Sequence, residues 1–155
     1  QRQMCIRDRY LTKGKMLQDI VVCLGGRIAE SLVFDDVTTG AVQDIRQATE
    51  RARDMVTKYG FSDELGMINY STSDDEVFIG REIGHAKNFS EGTAAVIDQE
   101  VKRIIESCRE KATKILKENR KVLDKLAELL IEKERIGQQE FEALFEQNDE
   151  TIEEM

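Results

Sequence analysis

Apolar residues recur at three- and four-residue steps along most of this chain, and the pattern divides it into helices. Behind Thr12, whose hydroxyl can cap a helix, Leu17, Ile20, Val21, Leu24, Ile28 and Leu32 share one face. Val22, Ala29 and Val33 widen that face around the cylinder, so the spacing predicts a mostly buried helix reaching about Phe34. A second helix opens at Thr38-Thr39-Gly40 and runs to about Tyr59. Val42, Ile45, Ala52, Val56 and Tyr59 fall on one stripe of it, with Ala48 and Met55 at the margin. Gly60 is placed to end it in the left-handed conformation. Ser90 can cap a third helix, in which Ala94, Ile97, Val101, Ile104, Cys108, Ala112 and Ile115 recur up to about Asn119. Leu123, Leu126, Ala127 and Leu130 mark a fourth, and Phe141, Leu144 and Phe145 a short closing one.

The breaks between these segments complete the outline. Asp35-Asp36-Val37 is a turn, Leu65 to Tyr70 can hold one short strand, and residues 71–88 read as a long polar surface loop anchored by Val77-Phe78-Ile79. The expected fold is therefore mainly α. It has two N-terminal helices, at most one short strand, a long loop, and then a C-terminal helical hairpin with a small closing helix. Gly25 and Gly26 lie inside the first helix, where each costs about 1 kcal/mol relative to alanine. The expected return is close approach of a neighbouring backbone.

Composition narrows the classes. The 155 residues include no proline, are 40% hydrophobic and 35% charged, and carry a formal net charge of −8. This suits a soluble, strongly helical protein and argues against nucleic acid or an anionic membrane surface as a direct partner. No apolar run approaches the roughly 20 residues that span a bilayer. Cys5, Cys23 and Cys108 form no CxxC pair, which argues against a disulfide scaffold. Cys23 and Cys108 fall on apolar helical positions and read as small buried hydrophobes.

Two carboxylates stand out against this background. Asp44 projects from the first turn of the second helix, beside Ala48 and Met55 at the edge of the expected core. A carboxylate there must be exposed, paired, hydrogen-bonded or bound to a metal. The simplest role is to face the positive end of the helix dipole, worth up to about 1 kcal/mol. Glu30 lies on the narrow line of Asp19, Cys23 and Gly26, where a surface pair with Arg27 is the simplest role.

The ordered blocks around these residues resemble a known family. Leu24-Gly25-Gly26-Arg27-Ile28-Ala29-Glu30, then Thr38-Thr39-Gly40-Ala41-Val42-Gln43-Asp44-Ile45, with Ala48-Thr49 and Ala52-Arg53-Asp54-Met55-Val56, are similar to the peptidase domain of the FtsH-type proteases. The similarity continues through Tyr59-Gly60-Phe61-Ser62, Leu65-Gly66 and Glu76-Val77-Phe78-Ile79-Gly80-Arg81 to Ile97-Asp98-Gln99-Glu100-Val101. It spans about Leu11 to Phe145.

Members of this family are membrane-anchored, ATP-dependent zinc metalloproteases. Their zinc is held by two histidines of a His-Glu-x-x-His helix and by a later aspartate, which the resemblance matches to Asp44. It also makes Glu30 a candidate for the carboxylate that receives an N–H from a zinc-bound imidazole. This chain contains no His-Glu-x-x-His, and its only histidine, His85, has no partner at ligand spacing. The general-base glutamate is thus absent, and no catalytic residue is assigned here. There is no Gly-x-x-x-x-Gly-Lys-[Ser/Thr] phosphate loop either, so ATP would be bound outside this chain.

The resemblance therefore implies the C-terminal part of a zinc endopeptidase whose parent is a homohexamer at the cytoplasmic face of the bacterial inner membrane, degrading membrane and soluble polypeptides. The isolated chain is expected to be inactive. Residues 1–10 read as a non-native segment, Met4-Cys5-Ile6-Arg7-Asp8-Arg9 looking like a translated library adapter. Residues 11–147 are the partial metallopeptidase domain and 148–155 an acidic tail. The alternative is a non-enzymatic helical oligomerisation or interaction module.

Overall fold

Every regular element that the computed structural model describes, over residues 10–34, 36–71 and 89–153, is helical. The helices are α1 (Lys13–Val33), α2 (Val42–Thr57), α3 (Glu91–Glu118), α4 (Arg120–Lys133) and α5 (Gln138–Glu153), with a 3-10 turn at Thr39–Ala41 leading into α2. The mainly α architecture expected from the spacing is present. His85, Cys5 and the Val77-Phe78-Ile79 anchor lie outside the described residues. Among those described, no helix is long and apolar enough to cross a membrane. They form two compact units, one ending at Ala112 and the other beginning at Thr113.

The first unit is built on an α1–α2 hairpin. Thr12 caps α1 as expected, its hydroxyl accepting from the Lys15 N–H at 3.2 Å. The buried line is Met16, Ile20, Leu24 and Ile28, a narrower stripe than the sequence suggests. Val22 remains 76% exposed, and a Cβ built on Gly25 or Gly26 would meet nothing within 4 Å. The expectation of a mostly buried helix is thus corrected: among the described residues nothing covers that side. On α2, the buried set is Ala48, Ala52, Met55, Val56 and Thr57. Two of these are alanines, and their small side chains let α1 approach closely. Val42 and Ile45, expected in the core stripe, are 63% and 43% exposed, because the side facing α1 turns past them.

The end of α2 shows why glycine stands at position 60. Its φ is +62°, and an added Cβ would come within 3.1 Å of the Met67 Cα. Left-handed backbone and close approach therefore both demand glycine there. The N–H of Phe61 returns to the Met55 carbonyl at 2.9 Å, closing the helix. The strand expected between Leu65 and Tyr70 does not form. Residues 63–65 make a turn instead, and the Tyr70 N–H donates to the Thr57 carbonyl at 2.7 Å. A lone extended segment has no ladder to satisfy its backbone, so this one turns to the helix end.

α3 buries Ile97, Val101, Ile104, Cys108 and Ala112 in the expected order. It also buries Glu100, only 5% exposed, and the reason is local. The carboxylate accepts from the Ser62 hydroxyl at 2.7 Å and from Arg103 through two guanidinium nitrogens at 2.8 and 2.7 Å. Ser62 Oγ in turn accepts the Leu65 N–H. A buried carboxylate with this many donors is satisfied, and it pins the turn after α2 to α3. Arg103 first, with Ser62, holds the Glu100 carboxyl below the usual carboxylate range against the opposing effect of burial. The Cys108 thiol points at the Leu17 carbonyl, 3.7 Å away, and burial pushes its pKa up. It behaves as the small hydrophobe the sequence suggested.

In the second unit, Glu134 takes a left-handed φ of 60° to end α4. Lys133 and the Gly137 N–H both reach Glu140, at 2.7 and 3.3 Å. Phe141 and Phe145 meet edge to face at 5.3 Å, and Leu144 is buried. The closing helix is longer than expected: α5 has 16 residues, and 148–153, read as tail, continue it. Apolar spacing marks only residues that need cover, and the mainly polar 148–153 stretch, Asn-Asp-Glu-Thr-Ile-Glu, carries almost none of that signal.

Two expectations follow for urea unfolding of the chain. Ile20→Ala removes a fully buried side chain and should cost about 2–5 kcal/mol, whereas the exposed Val22→Ala should change stability by under about 0.5 kcal/mol. For Glu100, the folded state has the lower pKa, so its contribution is complete above the unfolded glutamate pKa and is lost as pH falls through the folded one. Between pH 6 and pH 3 the parent should lose more stability than Glu100→Gln, and equal slopes would contradict this assignment.

Candidate metal centre

Residues 36–41 lead into α2, and their backbone polar groups must find partners outside an α-helix or remain solvated. Asp36 serves the first of them, its carboxylate accepting the Val37 N–H at 2.8 Å. Thr38 is extended, with φ −97° and ψ 174°, and its hydroxyl accepts the Gly40 N–H at 3.2 Å, capping the 3-10 turn. Both backbone groups of Thr38 are then taken by α1. Its N–H donates to Glu30 Oε1 at 2.9 Å, and its carbonyl accepts from the Arg27 guanidinium at 2.6 Å.

Arg27 and Glu30 also pair with each other at 3.3 Å, as their spacing predicts. The Glu30 side chain is 18% exposed. The Thr38 hydroxyl and N–H, and then Arg27, hold its carboxyl below the usual carboxylate range. Both Glu30 oxygens therefore already receive donors from this chain. Seven residues beyond Asp44 on α2, Arg51 forms a second tie to α1 through Asp19, which Lys15 also contacts at 3.0 Å. Asp44 thus stands on a helix fastened to α1 on either side of it.

Asp44 itself sits in the first turn of α2 and is exposed. Among the described residues no hydrogen bond or ion pair engages its carboxylate. This is informative because α2 carries three arginines, all committed elsewhere: Arg46 to Glu50 at 2.8 Å, Arg51 to Asp19, and Arg53 to Asp98 at 3.2 Å. The exposed Val42 and Ile45 lie beside it in the same turns. The structure brings Glu30 to Thr38 and, among the described residues, gives Asp44 no partner of its own.

As a metal donor set, these residues fit one ligand and no more. A carboxylate oxygen free of competing cations suits a divalent ion such as zinc. Yet no group of three His, Cys, Asp or Glu that could hold a metal occurs among the described residues. The hold of Arg27 and Glu30 on the Thr38 backbone is not visible in residue spacing. Its only signal was a short polar turn following a helix-end ion pair.

Comparison with known proteins finds similarity over most of the chain. The model of peptidase family M41 matches residues 3–144. The ATP-dependent zinc metalloprotease FtsH 1 of Thermoanaerobacter sp. (strain X514) is 50% identical over 140 residues, covering 90% of this chain and 23% of the relative. The ATP-dependent zinc metalloprotease FtsH of Caldicellulosiruptor bescii is 52% identical over 135 residues, covering 87% of this chain and 22% of the relative. That of Thermotoga maritima is 43% identical over 146 residues, covering 94% and 24%. The chain spans less than a quarter of the length of these curated relatives.

Proposed function

Because this chain belongs to peptidase family M41, we propose that it is the C-terminal part of the peptidase domain of an ATP-dependent zinc metalloendopeptidase, and that Asp44 supplies one of the zinc ligands. The observation that carries the proposal is the Asp44 carboxylate in the first turn of α2, unengaged among the described residues, on a helix whose three arginines are all paired with other acids. Elsewhere in the first unit, Asp19, Glu30 and Glu100 all have cationic partners. An anionic oxygen left open in the first turn of a well-fastened helix is suited to a cation that the rest of the site brings.

The chemistry supplied by zinc, when bound, is polarisation of the scissile carbonyl and activation of a water for attack. Asp44 contributes charge and an oxygen donor to that site. Glu30 and Arg27 stand behind it, keeping the approach to α2 in place. The histidine ligands, the general-base glutamate and the ATP site belong to the remainder of the full-length protein. So does attachment to the membrane. In this reading the parent assembles as a homohexamer at the cytoplasmic face of the bacterial inner membrane and degrades membrane and soluble polypeptides. The 155-residue chain alone is inactive, since one carboxylate cannot hold catalytic zinc.

The test uses the full-length protein. Partners that merely support metal ligands are worth about 10–100-fold in activity or metal affinity, and a direct ligand should exceed that. Asp44→Ala should therefore reduce casein degradation by more than about 100-fold while ATP hydrolysis largely persists. Degradation by the variant at the parental rate would remove Asp44 from the site. A gene whose segment before Tyr10 encodes no His-Glu-x-x-His would favour the non-enzymatic helical module instead.

A further inference from the structure

We infer that Arg27 and Glu30 are positioning residues for Asp44, acting through the backbone of Thr38; the inference rests on Asp44 being a zinc ligand. Thr38 is where the chain passes from extended to helical backbone. Its N–H is held by Glu30 Oε1 at 2.9 Å and its carbonyl by Arg27 at 2.6 Å. From there the path to Asp44 runs through the 3-10 turn at Thr39–Ala41 and directly into α2. Thr39–Ala41 form the 3-10 turn, Ala41 at φ −85° and ψ 8° leads into α2, and so only five residues of regular or near-regular backbone separate Thr38 from Asp44. Holding Thr38 therefore sets where the Asp44 carboxylate is presented.

Geometry makes the hold specific. Glu30 and Arg27 bind each other at 3.3 Å, and each spends a further contact on the same residue, one as acceptor and one as donor. A flexible lysine in place of Arg27 offers a point charge rather than a planar fork and is a poorer match for carboxylate and carbonyl together. The Asp19–Arg51 pair restrains α2 further along, so the Thr38 hold governs chiefly the first turn, where Asp44 lies. A ligand displaced by a few tenths of an ångström binds its metal less well.

The experiment measures zinc affinity of the full-length enzyme by competition with a chromophoric chelator, together with the visible spectrum of the cobalt-substituted enzyme. Asp44→Ala, Glu30→Ala, Glu30→Gln, Arg27→Ala and Arg27→Lys are compared with the parent. Urea midpoint and ATP hydrolysis report on folding. Glu30→Ala and Arg27→Ala should weaken zinc binding by about 10–100-fold and shift the cobalt bands, with ATP hydrolysis near the parental rate. Glu30→Gln, which keeps a carbonyl to accept the Thr38 N–H, should recover most of the affinity, and Arg27→Lys should recover less.

Unchanged zinc affinity in Glu30→Ala and Arg27→Ala, alongside a loss in Asp44→Ala, would overturn the positioning role while leaving Asp44 as a ligand. Glu30→Gln as weak as Glu30→Ala would also overturn it, because the charge rather than the hold on Thr38 would then matter. Unchanged affinity in Asp44→Ala would overturn the ligand reading itself and this inference with it. Should Glu30→Ala fail to fold, the Arg27 pair of variants decides between the same outcomes.

Discussion

The backbone of one residue, Thr38, is the point on which the candidate site depends. A chain leaving a 21-residue helix and starting another must place several N–H and C=O groups that neither helix satisfies. Here α1 satisfies two of them with the side chains of its own last turns, Glu30 accepting and Arg27 donating. The ion pair is thereby more than a surface pair, which taken alone contributes little. It joins the end of α1 to the start of α2, and the alanines at positions 48 and 52 allow the two helices to pack closely below it.

That arrangement separates two kinds of acidic residue. Glu30, Asp19 and Glu100 are structural: each lies against a cation and a neighbouring element, and each has its carboxyl held below the usual range. Asp44, like Asp54 further along the same helix, has none of these partners among the described residues, and what sets it apart is its place in the first turn of α2. The proposed metal role of Asp44 rests on that placement together with membership of peptidase family M41.

Much of this was legible in the amino-acid order. Thr12 and Ser90 cap their helices, Gly60 takes the left-handed turn, and the α3 series from Ile97 to Ala112 is buried at the expected positions. These features depend on residues close in sequence. Val42, Ile45 and Val22 show where such reading stops. Periodicity tells which residues share a side of a helix, but the described neighbours decide which side is covered. The missing strand at 65–70 and the length of α5 have the same origin. One depended on the reach of Tyr70 to Thr57, the other on polar residues that carry no apolar signal.

At the site, Asp44 and the Arg27–Glu30 pair were visible as motif and spacing, whereas the hold on Thr38 was not. That contact joins residues eight and eleven positions apart across a turn whose shape no propensity specifies. Amide hydrogen exchange at Thr38 measures it directly. In the parental chain this amide should exchange well below the rate of an unstructured peptide of the same sequence, and Glu30→Ala should restore the unstructured rate while the amides in the middle of α1 stay protected. Exchange at the unstructured rate in the parent itself would show that α1 does not hold the start of α2.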